Sequence, residues 1–346
     1  MPDAPSHRGE FLLVACQGGA EPAVCSRQEA VLPQLTKAAW RRGLVTFRLG
    51  GFDPPDDFFP DLVFGRACIR SLGQATGATD AERASHAARL AGPVAWDAIH
   101  AWSRDPRAET DLGAVRAALA HACGLATASD SVTQGGSLVL DCVVDSPDRW
   151  WIGWHRAATP PSCWPGGIYP GALPAEKVSR AWLKLDEAIA TFRIPLTPGQ
   201  RAVELGASPG GACQRLLEAG LDVVGIDPAI IDERVAGHER FEHWRMRARD
   251  VRLKAFRGFH WVVADMNIDP SSTMEAIERA VTAPGASPKG IIATLKLPTW
   301  DRAADVPGWL ERFSAWGFTP HARQLSTGGR EICVWASRRS TRRRDR

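Results

Sequence analysis

A glycine-rich turn and a few isolated charged side chains are the residues in this 346-residue chain that could do chemistry together. The turn follows a short apolar segment, residues 202–205, and begins at Gly206. Glycines let the backbone approach a ligand closely, and the helix N-terminus expected after the turn favours negative charge. A second apolar segment ends at Asp227, whose carboxylate could accept hydrogen bonds from ribose hydroxyls. This order of elements predicts the first half of a nucleotide-binding α/β unit.

The spacing of the glycines narrows the choice of nucleotide. Three residues separate Gly206 from Gly210, so the GxGxxG pattern of dinucleotide-binding proteins is missing and an oxidoreductase is disfavoured. A P-loop is excluded because no Gly-Lys-Ser/Thr follows. An acid before the turn and another after the next strand favour S-adenosylmethionine, with Asp250 placed to accept from the adenine amine. The residues expected to bind this cofactor are Glu204, Gly206, Ala207, Ser208, Pro209, Gly210, Gly211, Asp227, Asp250 and Asp265.

Four polar residues far apart in the sequence complete the candidate catalytic site: Lys184, Asp265, Lys296 and Glu331. Each alone could be a snorkelling lysine, a turn cap or half of a surface ion pair. Together with the glycine turn they indicate methyl transfer onto a hydroxyl group. A lysine becomes a useful base when a second cation lowers its pKa. We therefore expect Lys296 to be the base or activator and Asp265 to orient it. The other two residues would position the reactants.

The segments around these residues resemble the RrmJ/FtsJ-type RNA 2′-O-ribose methyltransferases. The segments Ser-Arg-Ala-Trp-Leu-Lys-Leu, Val-Val-Ala-Asp-Met, Leu-Lys-Leu-Pro and Arg-Glu-Ile-Cys-Val are similar to those that carry the Lys-Asp-Lys-Glu tetrad of that family. Within the group the likeness is closest to the bacterial RlmM-type enzymes, which methylate a cytidine ribose of 23S rRNA. The resemblance is specific over residues 174–336 and architectural before them. It implies an RNA substrate, 23S rRNA or an assembly precursor. The chain departs from the family pattern at Glu204, where Asp is usual, and at Ala212, where an aromatic residue is usual.

The elements that must position these residues alternate between strand and helix from residue 175 onward. Alternation of this kind predicts an α/β, Rossmann-like domain with a mostly parallel, doubly wound sheet. Strands are expected over 202–205, 222–226, 261–264, 290–297 and 331–336, and helices over 178–192, 212–219, 231–240, 274–281 and 306–316.

The first 158 residues predict a smaller α+β domain. A strand over 11–16, a helix over 21–42 stopped by Gly43 and a strand over 44–49 form a β-α-β unit. A hairpin is expected over 138–155. The resemblance implies a THUMP-like, RNA-binding role for residues 1–158. The proline-rich residues 159–174 predict a linker, residues 175–337 the methyltransferase domain, and the arginine-rich residues 338–346 a disordered basic tail that could contact RNA.

Composition excludes several other classes of protein. The eight cysteines contain no CxxC pair, so neither a zinc nor a disulfide framework is expected. His238 and His243 are five residues apart, which does not match the zincin motif, and we expect no metal. Since no signal sequence or membrane-length apolar run is present, a cytoplasmic protein is expected. Two alternatives stay open: the same chemistry on tRNA or another RNA, and a non-catalytic RNA-binding protein that keeps the fold.

Overall fold

The chain forms two compact units, Met1–Pro170 and Gly171–Arg346, each built on its own seven-stranded sheet. The structure, a computed structural model, describes residue 5 and residues 9–105, 107–125 and 132–339. Most of the predicted basic tail therefore lies outside the described residues. Arg338, its first residue, belongs to a strand, and its Nε donates to the Pro288 carbonyl oxygen at 2.7 Å.

The N-terminal unit is an α+β structure with a mixed sheet. Its elements are β1 (Phe11–Cys16), α1 (Glu21–Val31), β2 (Thr36–Arg41), β3 (Leu44–Arg48), β4 (Gly65–Thr76), α2 (Asp80–Ala91), β5 (Ala98–Ser103), α3 (Leu112–Ala122), β6 (Leu138–Ser146) and β7 (Arg149–Arg156). The strand order is β2-β3-β1-β4-β7-β6-β5, and only β5 and β6 pair in parallel. Helices α2 and α3 cover one face, where Trp150 and Trp154 are buried.

The predicted helix over residues 21–42 is wrong in its second half. Helix α1 ends at Val31, and residues 36–41 form the edge strand β2 instead. Pro33 explains the break, because it lacks a backbone N–H and disfavours helical backbone in the residue before it. Gly43 makes the turn between two antiparallel strands, with a φ of +84°, rather than ending a helix. The expected β-α-β unit is therefore absent, since β1 pairs antiparallel with β3.

The first half of the predicted linker belongs to the N-terminal unit. Residues 160–163 and 165–167 form two short 3₁₀ turns. Gly166 lies so close to Trp102 that a Cβ there would be 2.9 Å from the indole ring. The Cys163 carbonyl oxygen accepts a hydrogen bond from the Thr133 N–H at 2.9 Å. The boundary between the units falls later, at Pro170.

The C-terminal unit has the expected α/β architecture. Its elements are α4 (Arg180–Phe192), β8 (Arg201–Leu205), α5 (Gly211–Glu218), β9 (Asp222–Ile226), α6 (Glu233–Ala236), β10 (Phe241–Trp244), β11 (Trp261–Ala264), α7 (Pro270–Val281), β12 (Gly290–Lys296), α8 (Val306–Ala315), β13 (Phe318–Arg323) and β14 (Glu331–Arg338). The order β10-β9-β8-β11-β12-β14-β13 is that of a doubly wound sheet with its first strand in the middle. Strand β14 runs antiparallel to both of its neighbours.

Two strands of this unit are missing from the sequence-based prediction. The helix expected over 231–240 is only the single turn α6, and β10 and β13 extend the sheet at its two edges. His243 therefore lies on a strand, and its Nε2 is 2.9 Å from the Asp227 carbonyl oxygen. The described residues contain no group of three His, Cys, Asp or Glu side chains placed to hold a metal ion. In the same residues, no helix combines the length and apolar character needed to span a bilayer.

Candidate active site

The candidate site lies where the order of strands in the C-terminal sheet reverses. From the central strand β8 the chain moves outward to β9 and β10 and then returns to β11 on the other side. In open α/β sheets ligands bind at such a point, outside the carboxyl ends of the strands. Gly206 follows β8 and Asp265 follows β11. A Cβ on Gly206 would be 2.5 Å from the Met266 side chain, so the two loops approach closely only because this residue is glycine.

The four charged residues predicted from the sequence form a closed ring of alternating charge. Lys184 Nζ is 2.5 Å from Asp265 Oδ2 and 3.3 Å from Glu331 Oε1. Lys296 Nζ is 2.9 Å from Asp265 Oδ1 and 2.5 Å from Glu331 Oε2. The four side chains are between 11% and 22% exposed, so the ring is largely shielded but keeps some contact with solvent.

The direction of β14 explains how a residue at the start of a strand joins residues at strand ends. Because β14 is antiparallel to β12, Glu331 at its beginning lies directly opposite Lys296 at the end of β12. Lys184 comes from α4, whose first turn is capped by Ser179, with the hydroxyl accepting from the Ala181 N–H at 3.3 Å. Three separate elements therefore converge on the carboxyl end of β11, which carries Asp265.

The ring changes the protonation behaviour of its members. Burial acts to raise the pKa of Asp265, but Lys184 and Lys296 outweigh it and hold that pKa below its ordinary value. Burial likewise acts to lower the pKa of Lys296, yet Asp265 and Glu331 outweigh it and raise that pKa above 10.5. The expectation that the neighbouring Lys184 lowers the pKa of Lys296 is therefore wrong. Two carboxylates within 3 Å exert more influence than one like charge.

Glu187 is a residue of the site that sequence reasoning missed. It lies one helical turn after Lys184 on α4, is 2% exposed, and accepts four hydrogen bonds from Ser326 and Thr327. The donors are the two backbone N–H groups and the two hydroxyls, at 2.6 to 2.9 Å. Glu187 thereby fixes the loop that leads into Glu331. Glu187 could have been found from its spacing of three residues from Lys184, because residues at this spacing share a helix face.

A cavity of about 640 Å³ adjoins the ring. Its volume suits a nucleotide-sized ligand. Asp227 Oδ2 accepts from the Ser208 N–H at 3.1 Å, and Oδ1 accepts from the Ala229 N–H at 2.8 Å. Each carboxylate oxygen can accept a further hydrogen bond, and Asp227 lines the cavity. The lining residues are Gly206, Ser208, Ile226, Asp227, Pro228, Arg247, Ala248, Arg249, Asp265, Met266, Asn267, Ile268, Ser272, Glu275, Ala276 and Arg279.

The predicted cofactor residues divide into two groups in the structure. Those that line the cavity are Gly206, Ser208, Asp227 and Asp265. Those outside that lining are Glu204, Ala207, Pro209, Gly210, Gly211 and Asp250. Gly211 serves packing, since a Cβ there would be 2.2 Å from the Ser179 hydroxyl oxygen. The Asp250 side chain is 59% exposed beside Arg249, which lines the cavity.

Glu204, where the chain departs from the family pattern, lies beneath the glycine turn. It is 1% exposed, and the Cys213 backbone N–H and thiol donate to its carboxyl group. Among the residues that the structure describes, its Oε2 has no hydrogen-bond partner. Burial raises the pKa of Glu204 to about 8, and the nearby Asp265 and Asp227 add to the effect. The side chain is therefore mostly neutral at pH 7.

Ala212, the second departure, borders a small cavity behind the ring. This cavity of about 20 Å³ also touches Lys184 and Asp265. A space of this size holds one water molecule. The small side chain thus leaves room behind the two charged groups that an aromatic residue would fill.

The reversal point of the sheet, the glycine turn and the charged ring define a methyltransferase whose cofactor is S-adenosylmethionine. Residues 177–301 match the FtsJ-like methyltransferase family. The chain is 28% identical to the ribosomal RNA large subunit methyltransferase M of Halorhodospira halophila, over 96% of this chain and 98% of that protein. The protein of the same name from Laribacter hongkongensis is 32% identical over 51% of this chain and 52% of its own.

Among solved structures, the chain is similar to a fibrillarin pre-rRNA processing protein of Methanococcus jannaschii. The identity is 13% and the TM-score 0.38, with 57% of this chain and 81% of that protein covered. The strand order described above, rather than this likeness, defines the fold.

Proposed function

We propose that this protein is an RNA 2′-O-ribose methyltransferase whose substrate is a cytidine of 23S rRNA, as naked RNA or within an assembly precursor. The closed ring of two lysines and two carboxylates beside the cofactor cavity carries the proposal. Asp265 belongs both to the ring and to the cavity lining, so the reacting groups and the methyl donor would meet there. The names of the relatives support large-subunit rRNA as the substrate.

The residues of the cavity fit S-adenosylmethionine. Asp227, with its unused lone pairs, would accept from the ribose hydroxyls, and Gly206 and Ser208 would let the backbone approach the ligand. When bound, this cofactor supplies an electrophilic methyl group attached to a sulfonium centre. The neutral Glu204 beneath the turn would adjust the floor of this pocket without lining it.

The ring would act on the ribose hydroxyl of the substrate. S-adenosylmethionine would supply the methyl group, its methyl–sulfur bond breaking with the electron pair left on sulfur as the 2′-oxygen bonds to the methyl carbon. The proton of the attacking hydroxyl would pass to neutral Lys296 Nζ. Asp265 and Glu331 orient Nζ beforehand and stabilise the ammonium group afterwards. Lys184 keeps Asp265 ionised. Holding the hydroxyl in line with the methyl group supplies a large part of the acceleration.

A positive surface next to the cavity supports an RNA substrate. The loop after β10 carries exposed cations at Arg245, Arg247, Arg249, Arg252 and Lys254, with Asp250 the one acid in residues 245–254. Arg247 and Arg249 also line the cavity, so the positive surface reaches the methyl donor. Clustered cations of this kind bind the phosphate backbone of nucleic acids.

Two further RNA contacts are part of the proposal. The N-terminal unit would bind RNA, as the THUMP-like resemblance implies, and the arginines of residues 339–346 would add electrostatic attraction. The intact ring disfavours a non-catalytic RNA-binding protein, because binding alone does not require four converging charged side chains.

Mapping of ribose methylation on total RNA, with and without the gene, tests the proposed function. We expect one 2′-O-methylcytidine of 23S rRNA to disappear when the gene is removed and to return with the parent gene. A site lost from tRNA instead would assign the same chemistry to another RNA. An unchanged set of ribose methyl groups would contradict the proposal.

A further inference from the structure

An exposed tryptophan lies on the edge strand of the N-terminal sheet. Trp40 on β2 is 61% exposed, and all six residues of this strand are exposed. An exposed indole loses no packing energy when it binds a planar ligand, and its face suits stacking.

A β-bulge places a lysine on the same side of the sheet as this indole. The pairing of β2 with β3 shifts between Lys37 and Ala39, so Lys37 lies opposite Phe47 while Trp40 lies opposite Val45. Phe47 and Val45 are two residues apart and share one face. Without the bulge, Lys37 and Trp40, three residues apart, would point to opposite faces.

These side chains border a cavity of about 450 Å³. The cavity lies on the N-terminal unit and is distinct from the cofactor cavity in the other sheet. Its lining residues are Gly19, Glu21, Pro22, Cys25, Lys37, Trp40 and Arg42.

The charge that this cavity offers to a ligand is positive. Among the described residues, neither Lys37 nor Arg42 has a side-chain ion-pair or hydrogen-bond partner. The Glu21 carboxylate is 5% exposed and accepts from the Gly19 and Gly43 backbone N–H groups, at 2.8 and 2.5 Å. The acid thus faces the backbone, while the two cations stay available beside the indole.

We propose that this cavity binds one unpaired nucleotide of an RNA strand, with the base stacked on Trp40 and the phosphate held by Lys37 and Arg42. The inference rests on the proposed RNA substrate and adds a second contact far from the methyl-transfer chemistry in sequence. Charge decides the occupant: residues 36–42 carry three cations and no acid, which suits a polyanion. Lysine on an edge strand also discourages pairing with a strand of another protein.

Fluorescence anisotropy with the full chain and a labelled single-stranded RNA of mixed sequence tests this inference. Trp40→Ala should weaken binding roughly 5- to 150-fold, the range for losing one stacked base. Trp40→Phe should keep most of the affinity because a ring remains. Lys37→Ala should reduce the slope of log K against log salt by about 0.7. Arg89→Ala, the loss of an exposed cation on α2, is the control and should change the affinity less than Lys37→Ala.

The outcomes separate this inference from the proposed function. Equal affinities for the parent, Trp40→Ala and Trp40→Phe, with unchanged circular dichroism, would overturn the pocket. A parent dimer that Trp40→Ala dissociates, with RNA affinity unchanged, would assign the cavity to a second copy and also overturn it. Methyl transfer to 23S rRNA is measured on the same preparations. Its absence in the parent would refute the proposed function, while the RNA affinities would still decide the pocket.

Discussion

Lys296 donates hydrogen bonds to two carboxylates, and this arrangement has a direct kinetic consequence. Its Nζ is 2.9 Å from Asp265 and 2.5 Å from Glu331, and together they raise its pKa above the ordinary 10.5. Only the neutral amine can accept the proton of the ribose hydroxyl. The fraction of neutral amine at neutral pH is therefore small. It rises tenfold for each unit by which the pH increases, as long as the pH stays below the pKa.

The pH profile of the reaction should show this behaviour. We expect log kcat/KM for RNA to rise with a slope near 1 between pH 6.5 and about 9, because kcat/KM reports the free enzyme. Methyl transfer from labelled S-adenosylmethionine measures it. A profile that is flat over this range would show that Lys296 does not act as the base.

Glu204 should leave a different signature, in stability. Its pKa is about 8 in the folded protein against an ordinary 4.5, so the folded state binds more protons between these values. The free energy of unfolding contributed by this group is therefore highest below pH 4.5 and falls as pH rises, by up to about 1.4 kcal/mol per unit. Glutamine does not titrate, so Glu204→Gln should remove this decrease. The free energy of unfolding of the variant should therefore rise relative to that of the parent between pH 5 and 8.

Urea unfolding of the two proteins at several pH values checks this expectation. Glu239→Gln, at an exposed position on the same unit, serves as the control and should follow the parent curve. A constant difference between the parent and Glu204→Gln across pH 5 to 8 would contradict a raised pKa.

At the scale of elements, α4 organises the site through two of its residues. Lys184 enters the ring, and Glu187 holds residues 326 and 327 just before β14 begins. The loop that positions Glu331 therefore depends on a single buried carboxylate.

Replacing that carboxylate should damage both stability and turnover. Glu187→Ala leaves four donors without their acceptor, and we expect the free energy of unfolding to fall by about 3 kcal/mol. We also expect kcat to fall while the dissociation constant of S-adenosylmethionine stays near the parent value, because the cavity lies on other loops. Urea unfolding, steady-state kinetics and calorimetry measure these changes, with Glu239→Ala as the exposed control. A parent-like kcat would show that the loop does not need this anchor.

The end of β9 should control cofactor affinity. Asp227→Asn replaces one carboxylate oxygen with an amide donor and removes the charge, so we expect S-adenosylmethionine to bind about 10- to 100-fold more weakly. Asp222→Asn makes the same change at the other end of β9 and should leave the affinity unaltered. Isothermal calorimetry compares the two. Equal affinities would remove Asp227 from the cofactor site.

Across the whole molecule, the sequence predicts the C-terminal sheet better than the N-terminal one. Buried parallel strands appear as short apolar runs, and their ends carry the chemistry, which is why Asp265 and Lys296 could be found. The edge strands β10 and β13 are partly exposed and lack that signal. The helix over 21–42 failed because residues 36–41 pair with β3, a contact that local periodicity does not reveal.

What the sequence could and could not predict about the site has the same physical origin. The ring could be predicted by resemblance, since its four residues lie in recognisable segments. Its effect on Lys296 could not, because the pKa depends on distances between side chains from different strands. The cavity lining depends in the same way on the path of the loop after β10, which brings Arg247 and Arg249 to the cavity.

Nucleoside analysis of 23S rRNA after reaction with labelled S-adenosylmethionine tests the central claim most directly. The RNA is taken from cells that lack the gene and is treated with the parent, Lys296→Ala, or Lys289→Ala. Lys289 is exposed and immediately precedes β12, so it serves as the matched control at the other end of that strand. We expect 2′-O-methylcytidine from the parent and the control, and at least a 100-fold lower rate from Lys296→Ala. Labelled methyl groups found only on bases, or an unchanged rate for Lys296→Ala, would contradict the account.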